Sequence, residues 1–410
     1  LNPQSAMTTC SIIRRVMRTL FSTLVLLTLV SAPLMIIPDA QTKPRARDLG
    51  VPFDGTPGPL NAITDVAGVE VGMTTLISGQ GALKVGTGPV RTGVTAILPR
   101  GKTSRDQVFA GWFSLNGNGE MTGTTWIEEA GFLEGPVFIT NTHSVGVVRD
   151  AAIKWSRDHG RTAQEWSLPV VAETWDGFLN DINGFHVKPE HVFAALDAAG
   201  SGRVAEGNVG GGTGMVCYGF KCGSGTSSRK IDARFGGYTV GIFVQANHGT
   251  RSLLRVAGAP VGQEIPQSPS ARNENPASAL DAIGEAGSII IVVATDAPLL
   301  PHQLKRIARR ATLGLARTGS VSSNGSGDIF IAFSTANAGA ADAREAAQVS
   351  MLSNARIGAV FEATVQATEE AIVNALVAGE TMTGVDNHRV ESISHDALQQ
   401  VLRKYNRLTR

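Results

Sequence analysis

The sequence predicts an α+β fold, a layered sandwich of sheets and helices. Apolar segments with strand and helix periodicity follow one another in blocks, not in strict strand–helix–strand order. A polar stretch rich in Pro, Ser, Asn and Glu, residues 262–287, precedes a run too poor in strands to build a sheet of its own, so it interrupts one domain instead of joining two. With 410 residues, 42% of them hydrophobic and 17% charged, the chain has enough apolar surface to bury a large core.

The elements justify this in order. Residues 1–40 read as a leader: "RRVMRTLFSTLVLLTLVSAPLMIIPDAQ" has an arginine-rich start, an apolar stretch from Leu20 to Val30, then small residues and prolines. Met7 reads as the initiator, the competing reading is a membrane anchor over Leu20–Ile37, and Arg14-Arg15 alone is a weak twin-arginine signal. The expected location is periplasmic or secreted, with a single domain over residues 41–410. Short β-rich runs and turns follow in "RDLGVPFDGTPGPLNAITDVAGVEVGMTTL", and "VRTGVTAILPR" is a strand. "VFAGWFSLNGNGEMTGTTWIEEAGFLEGPVFITNTHSVG" reads as strands around a glycine-asparagine loop. "VVRDAAIKWSRDHG" and "EHVFAALDAAG" are helices with glycine stops, and "YTVGIFVQAN" is a buried strand. Beyond the linker come a strand at 288–295, the helix "LPHQLKRIARRATLGLAR", the strand "GDIFIAFSTAN" and a helical stretch over 350–379.

Several function classes are disfavoured. A net charge of +1, with no sustained basic run in the body of the chain, gives no basis for nucleic-acid binding. "NVGGGTG", residues 208–214, lacks the G-K-[ST] ending of a phosphate loop and reads as tight backbone near a site. Cys10 falls in the leader, while Cys217 and Cys222 either pair or remain inert thiols. A C-x4-C pair with no second ligand pair makes a poor zinc site, so neither metal nor cofactor is expected.

One place in the chain invites chemistry. Ser288 stands between Gly287 and the apolar run Ile289–Ala294, at the seam of linker and strand. A serine hydroxyl is a weak nucleophile and needs a base. None of the eight histidines lies in a nucleophile-elbow context, and "NGSGD" at 324–328 resembles one only superficially. A break between Gly287 and Ser288 would make the serine a new N-terminus. Its α-amino group, with a reference pKa of about 7.7–8.0, could then serve as the base for its own hydroxyl.

The segments "NTHSVGVVRDA", "AETWDGFLNDING", "NVGGGTGM", "FKCGSGTSSR", "YTVGIFVQANHG", "GSIIIVVATDAPLLPHQLKRIARRATLGLAR" and "SNGSGDIFIAFSTAN" closely resemble the DmpA/BapA family. These are the L-aminopeptidase/D-Ala-esterase/amidases and β-peptidyl aminopeptidases, and the similarity runs from about Arg47 to about Glu380. The resemblance implies a four-layer α/β/β/α sandwich like that of N-terminal nucleophile hydrolases but differently connected. It implies self-cleavage into an α chain (about 41–287) and a β chain (288–410), and an oligomer of such heterodimers. Ser288 matches the nucleophile, with Gly287 on the other side of the cleaved bond. Ser326 and Asp328 match a serine and an acidic residue near the nucleophile's amine, where many members carry Glu. Asn247 matches the oxyanion donor and Glu173 the carboxylate that receives the substrate's amine. Trp175 stands at a pocket position that is Tyr or aliphatic in relatives.

Taken without the resemblance, these residues have ordinary readings. Ser288 is a strand-start serine, Ser326 and Asp328 are turn formers, Asn247 is a turn amide, and Glu173 is a solvated loop carboxylate. Trp175 is core or pocket wall, and His143 and His248 are structural histidines. The expected function is an exported serine aminopeptidase acting on short peptides, amides or esters with a free N-terminal amine. An acyltransferase of the ornithine acetyltransferase type is the alternative enzyme, and a non-catalytic periplasmic binding protein is the alternative outside catalysis.

Overall fold

Alternation of side chains along the strands sorts the apolar residues of this protein into three layers. The structure, a computed structural model, describes residues 43–160, 165–265, 287–342 and 345–409. The leader and most of the linker lie outside the described residues. Residues 44–410 form one compact unit.

In chain order the first elements are β1 (Glu70–Ser78), β2 (Val90–Leu98), β3 (Val108–Ser114), helix α1 (Thr124–Ala130), β4 (Phe132–Leu133) and β5 (Val137–Asn141). They are followed by α2 (Val145–Asp158), β6 (Val170–Thr174), α3 (Pro189–Asp197), β7 (Val216–Cys217), β8 (Phe220–Lys221), β9 (Ser224–Lys230) and β10 (Thr239–Asn247). After the linker come β11 (Ser288–Thr295), α4 (Pro301–Arg317), β12 (Ile329–Ser334), α5 (Gly358–Val377), β13 (Met382–Thr383), β14 (Arg389–Val390) and α6 (His395–Lys404). One sheet has the order β1-β2-β5-β6 and the other β4-β3-β12-β11-β10-β9.

The unbroken apolar run of β11 is explained by this arrangement. Its odd-numbered residues Ile289, Ile291 and Val293 face the outer layer, where Leu304 and Ile307 of α4 and Ala367 and Ala371 of α5 cover the sheet. Its even-numbered residues Ile290, Val292 and Ala294 face the other sheet, meeting Ile97, Ile139 and Ala172. A strand buried on both faces needs no polar side at all. Val148 and Ala152 of α2 and Val192 and Leu196 of α3 cover the outer face of the four-stranded sheet through Val94, Ala96, Phe138 and Val171. Four layers result, α/β/β/α. β11 pairs antiparallel with β10 and parallel with β12, and β12 pairs antiparallel with β3, so strands from both sides of the linker interleave in one sheet.

Three local expectations are corrected. The segment after the glycine-asparagine loop holds helix α1, bounded by left-handed Gly123 and Gly131 at φ 74° and 77°. Only Ile127 of that helix is buried, so it leaves no 3.6-residue pattern to read. The helical stretch expected from residue 350 starts only at Gly358, because the preceding Ser- and Asn-rich residues make contacts of their own, such as Leu352 N–H to the Pro298 carbonyl at 2.7 Å. The first linker residues are also ordered, in the helical turn Val261–Glu264.

Candidate active site

The central strand β11 begins with Ser288, and its register sets what lies opposite. Asn247, the last residue of β10, is its antiparallel partner. Both are buried, at 5% and 6% exposure, on the side of the sheet that faces β6. Gly287 must be a glycine here for a steric reason: a Cβ at this position would lie 2.2 Å from the Asn247 carbonyl oxygen.

The loop leading into β12 folds over this strand end. The Gly327 N–H donates to Ser288 Oγ at 3.1 Å, and the Ser326 hydroxyl donates to the Gly287 carbonyl. Asp328 accepts from the Ile289 N–H at 3.1 Å through Oδ1. Ser326 and Asp328 therefore meet the seam from its two sides, one on the carbonyl before Ser288 and one on the amide after it.

That loop is in turn held by "LNGNG", residues 115–119. Asn116 accepts from the Asp328 N–H at 2.6 Å and donates to the Ser322 and Ser323 carbonyls. Asn118 donates to the Gly325 carbonyl at 2.9 Å, and its own N–H donates to the Ser326 carbonyl. Sequence reasoning passed over both asparagines. The signal was the cluster of Asn and Gly, which marks a turn but not what the turn holds.

Glu173 and Trp175 come from the other sheet. Glu173 is buried at the end of β6, accepting from the Glu120 N–H at 3.0 Å and from the Thr142 hydroxyl. It reaches the loop leading into β12 through Gly119, where a Cβ would lie 2.9 Å from Gly327 Cα and 3.3 Å from Glu173 Oε1. Burial pushes the Glu173 carboxyl above its ordinary range, opposed by the bonds from Thr142 and Glu120. Such a carboxyl gains from a cation that arrives with a substrate. Trp175 is 47% exposed, and its carbonyl accepts from Asn247 Nδ2 at 2.9 Å. Asn247 Oδ1 accepts from the Val216 N–H at 2.9 Å. With Oδ1 and one N–H so engaged, the amide retains its second N–H for a ligand.

The turn carrying Trp175 is anchored by Asp176, which the sequence did not single out. Its carboxyl accepts from Asn180 at 3.0 Å and Asn141 at 3.1 Å, and burial raises it to about 6. The glycines of "NVGGGTG" pack tightly: a Cβ at Gly211 would lie 2.1 Å from Gln245 Oε1 and 2.7 Å from the Ile139 carbonyl oxygen. Cys217 and Cys222 form a disulfide. His248 is fully buried, edge-on to Tyr218, and burial lowers it to about 3, so it stays neutral. His143 departs from the structural role expected of it: it is exposed and stacks on Phe185. Among the described residues no group of three or more His, Cys, Asp or Glu side chains is placed to hold a metal ion.

Two packed sheets between helix layers, with a buried serine at the head of a central strand, define a hydrolase fold of the N-terminal-nucleophile kind. Comparisons with known proteins agree. The profile of peptidase family S58 matches residues 61–390. A β-peptidyl aminopeptidase BapA of Sphingosinicella microcystinivorans is 58% identical over 371 residues, 89% of this chain and 93% of that protein. The solved L-aminopeptidase D-Ala-esterase/amidase of Ochrobactrum anthropi, described as a prototype of the serine aminopeptidases and a variant of the Ntn hydrolase fold, superposes with TM-score 0.82 at 50% identity, covering 90% of this chain and 100% of that one. A Burkholderia sp. β-aminopeptidase gives TM-score 0.80 at 48% identity, covering 88% and 99%. The chain belongs to peptidase family S58 and is an aminopeptidase.

Proposed function

We propose that this aminopeptidase is made as an inactive precursor, cleaves its own Gly287–Ser288 bond, and uses the new N-terminal Ser288 to release N-terminal residues from short peptides, amides and esters. The observation that carries this reading is the bracketing of that bond. The Gly287 carbonyl is polarised by the Ser326 hydroxyl while Ser288 Oγ is held by the Gly327 N–H. In self-cleavage Oγ attacks the Gly287 carbonyl carbon, the C–N bond breaks as the hydroxyl proton passes to the departing nitrogen, and water hydrolyses the resulting ester.

In turnover the freed Ser288 amine takes the proton of its own hydroxyl as Oγ attacks the substrate carbonyl. The second N–H of Asn247 donates to the oxyanion, an interaction worth about 3–4 kcal/mol when such donors are removed. The amine of the departing product takes the proton, and water then hydrolyses the acyl-enzyme. Glu173 pairs with the substrate's free ammonium, which selects substrates by their N-terminus. The substrates fitting this reading carry an N-terminal β-amino acid or a small L- or D-residue. It includes export to the periplasm or beyond, removal of residues 1–40, assembly of several αβ heterodimers, and no cofactor. A panel of aminoacyl p-nitroanilides (β-homo-residues, L-Ala, D-Ala) assayed with the two-chain protein tests it. Hydrolysis of none of them, or full activity in an uncut chain, overturns it.

A further inference from the structure

Asn247 is held by a hairpin that carries a covalent cross-link. β7 and β8 make only two residue pairs, Val216↔Lys221 and Cys217↔Phe220. Tyr218 and Gly219 at its turn are both left-handed, with φ 52° and 67°. An isolated ribbon this short is marginal in water, and here the Lys221 N–H also ties it to the Glu391 carbonyl at 2.8 Å. The Cys217–Cys222 disulfide closes it, with both cysteines fully buried.

The hairpin and its exit are fastened to three consecutive residues of β10 and its end. The Ala246 N–H donates to the Gly223 carbonyl at 2.9 Å, the Val216 N–H to Asn247 Oδ1 at 2.9 Å, and the Tyr218 N–H to the His248 carbonyl at 2.7 Å. The middle bond matters most for chemistry. A side-chain amide turned by half a rotation exchanges its oxygen for its NH2 group. The Val216 N–H can donate only to the orientation with Oδ1 toward the hairpin, which leaves Nδ2 to Trp175 and to the site. Val216 is adjacent in the chain to Cys217, so the cross-link fixes the donor that fixes the amide.

We propose that the Cys217–Cys222 disulfide positions Asn247 for catalysis, so that full turnover requires the oxidised hairpin. This rests on the reading of Asn247 as the oxyanion donor. Both cysteines act through Val216, as positioning residues. Two thiols lose two electrons and two protons to a disulfide oxidant such as oxidised glutathione, which is reduced to thiols in exchange. An enzyme made in a reducing compartment is then slow until it meets an oxidising one.

The test is a double-mutant cycle on the full two-chain enzyme, with kcat, KM and titrated active sites measured on a free-amine anilide. Cys217→Ala/Cys222→Ala is expected to lower kcat per active site by about 10- to 100-fold, the scale of a displaced catalytic group, with KM nearly unchanged. In an Asn247→Ala background the same cysteine changes are expected to lower kcat no further. Equal losses in both backgrounds overturn the inference, since they mark a general structural role. If Asn247→Ala alone leaves kcat intact, the oxyanion reading itself fails and the inference with it. A second arm uses wild type purified with both thiols free: low kcat restored by oxidised glutathione supports the proposal, and full kcat in the reduced protein overturns it.

Discussion

Asn247 and Ser288 are the terminal pair of the ladder between β10 and β11, so backbone hydrogen bonding, not a flexible loop, sets their separation. Rigid elements hold reacting groups to the tolerances that catalysis needs. The same pairing presses Gly287 against the Asn247 carbonyl. In the proposed function, self-cleavage and turnover thereby share one strand end.

Ser288→Ala is expected to leave one uncut chain without activity, because the attacking hydroxyl is gone. Wild type should run as two chains on a denaturing gel, the smaller beginning Ser-Ile-Ile-Ile-Val. Mass spectrometry of active wild type intact across residues 287 and 288 would refute self-cleavage.

Gly287→Ala is expected to slow or abolish cutting while leaving Ser288 in place. Its methyl would sit 2.2 Å from the Asn247 carbonyl oxygen, so the strand end must move away from its pairing. The rate of precursor disappearance in a pulse-chase experiment measures this, and a wild-type rate counts against the assigned geometry.

Activity is expected to rise with pH through an apparent value near 7–8 and then flatten, because in the proposed mechanism the neutral Ser288 amine is the base. EDTA is expected to leave the rate unchanged. A rate lost to EDTA and restored by zinc or manganese points to another mechanism.

Glu173→Gln is expected to raise KM and lower kcat/KM for free-amine substrates by about 2–5 kcal/mol, the range for removing one partner of a buried charge pair. Self-cleavage, which involves no substrate amine, is expected to survive. Wild type should cleave N-acetylated substrates poorly, and equal rates on acetylated and free-amine peptides would remove Glu173 from its role.

Asp176 gives a stability prediction with a definite sign. Its carboxyl is raised to about 6 in the fold, so between about pH 4 and 6 the folded state holds a proton that the unfolded state has lost. The protonated form's stabilisation is present below the unfolded value and lost as pH rises through the folded one. Relative to Asp176→Asn, wild type is expected to lose up to about 3 kcal/mol across that window and little above it, whatever constant offset the substitution adds. Urea denaturation of both proteins at pH 4.5 and 7.5 measures the difference, and a pH-independent difference would contradict the burial argument.

Much of this molecule was legible in the chain itself. β11 could be bounded as Ser288–Thr295 because a glycine–serine seam precedes a run apolar at every position, and that pattern belongs to a strand buried on both faces. Helix α4 was equally plain, since its apolar stripe recurs with the helical period beside a row of basic residues. The motifs around Asn247, Ser288, Ser326 and Asp328 marked candidate residues and pointed to a family and a fold. Tertiary structure alone decided how those residues meet. The pairing of Asn247 with Ser288 depends on the register of two strands separated by the linker, and no local pattern encodes register between distant segments. Asn116 and Asn118 became site residues only by bonding a loop about 200 positions away. Spacing left Cys217 and Cys222 undecided between thiols and a bridge, and the fold pairs them beside Asn247. Asp176 looks like one more loop carboxylate in "ETWDG" until Asn141 and Asn180 enclose it. Periodicity and composition report which surfaces must be buried; hydrogen bonds between remote loops, with their fixed lengths and directions, decide which groups meet there.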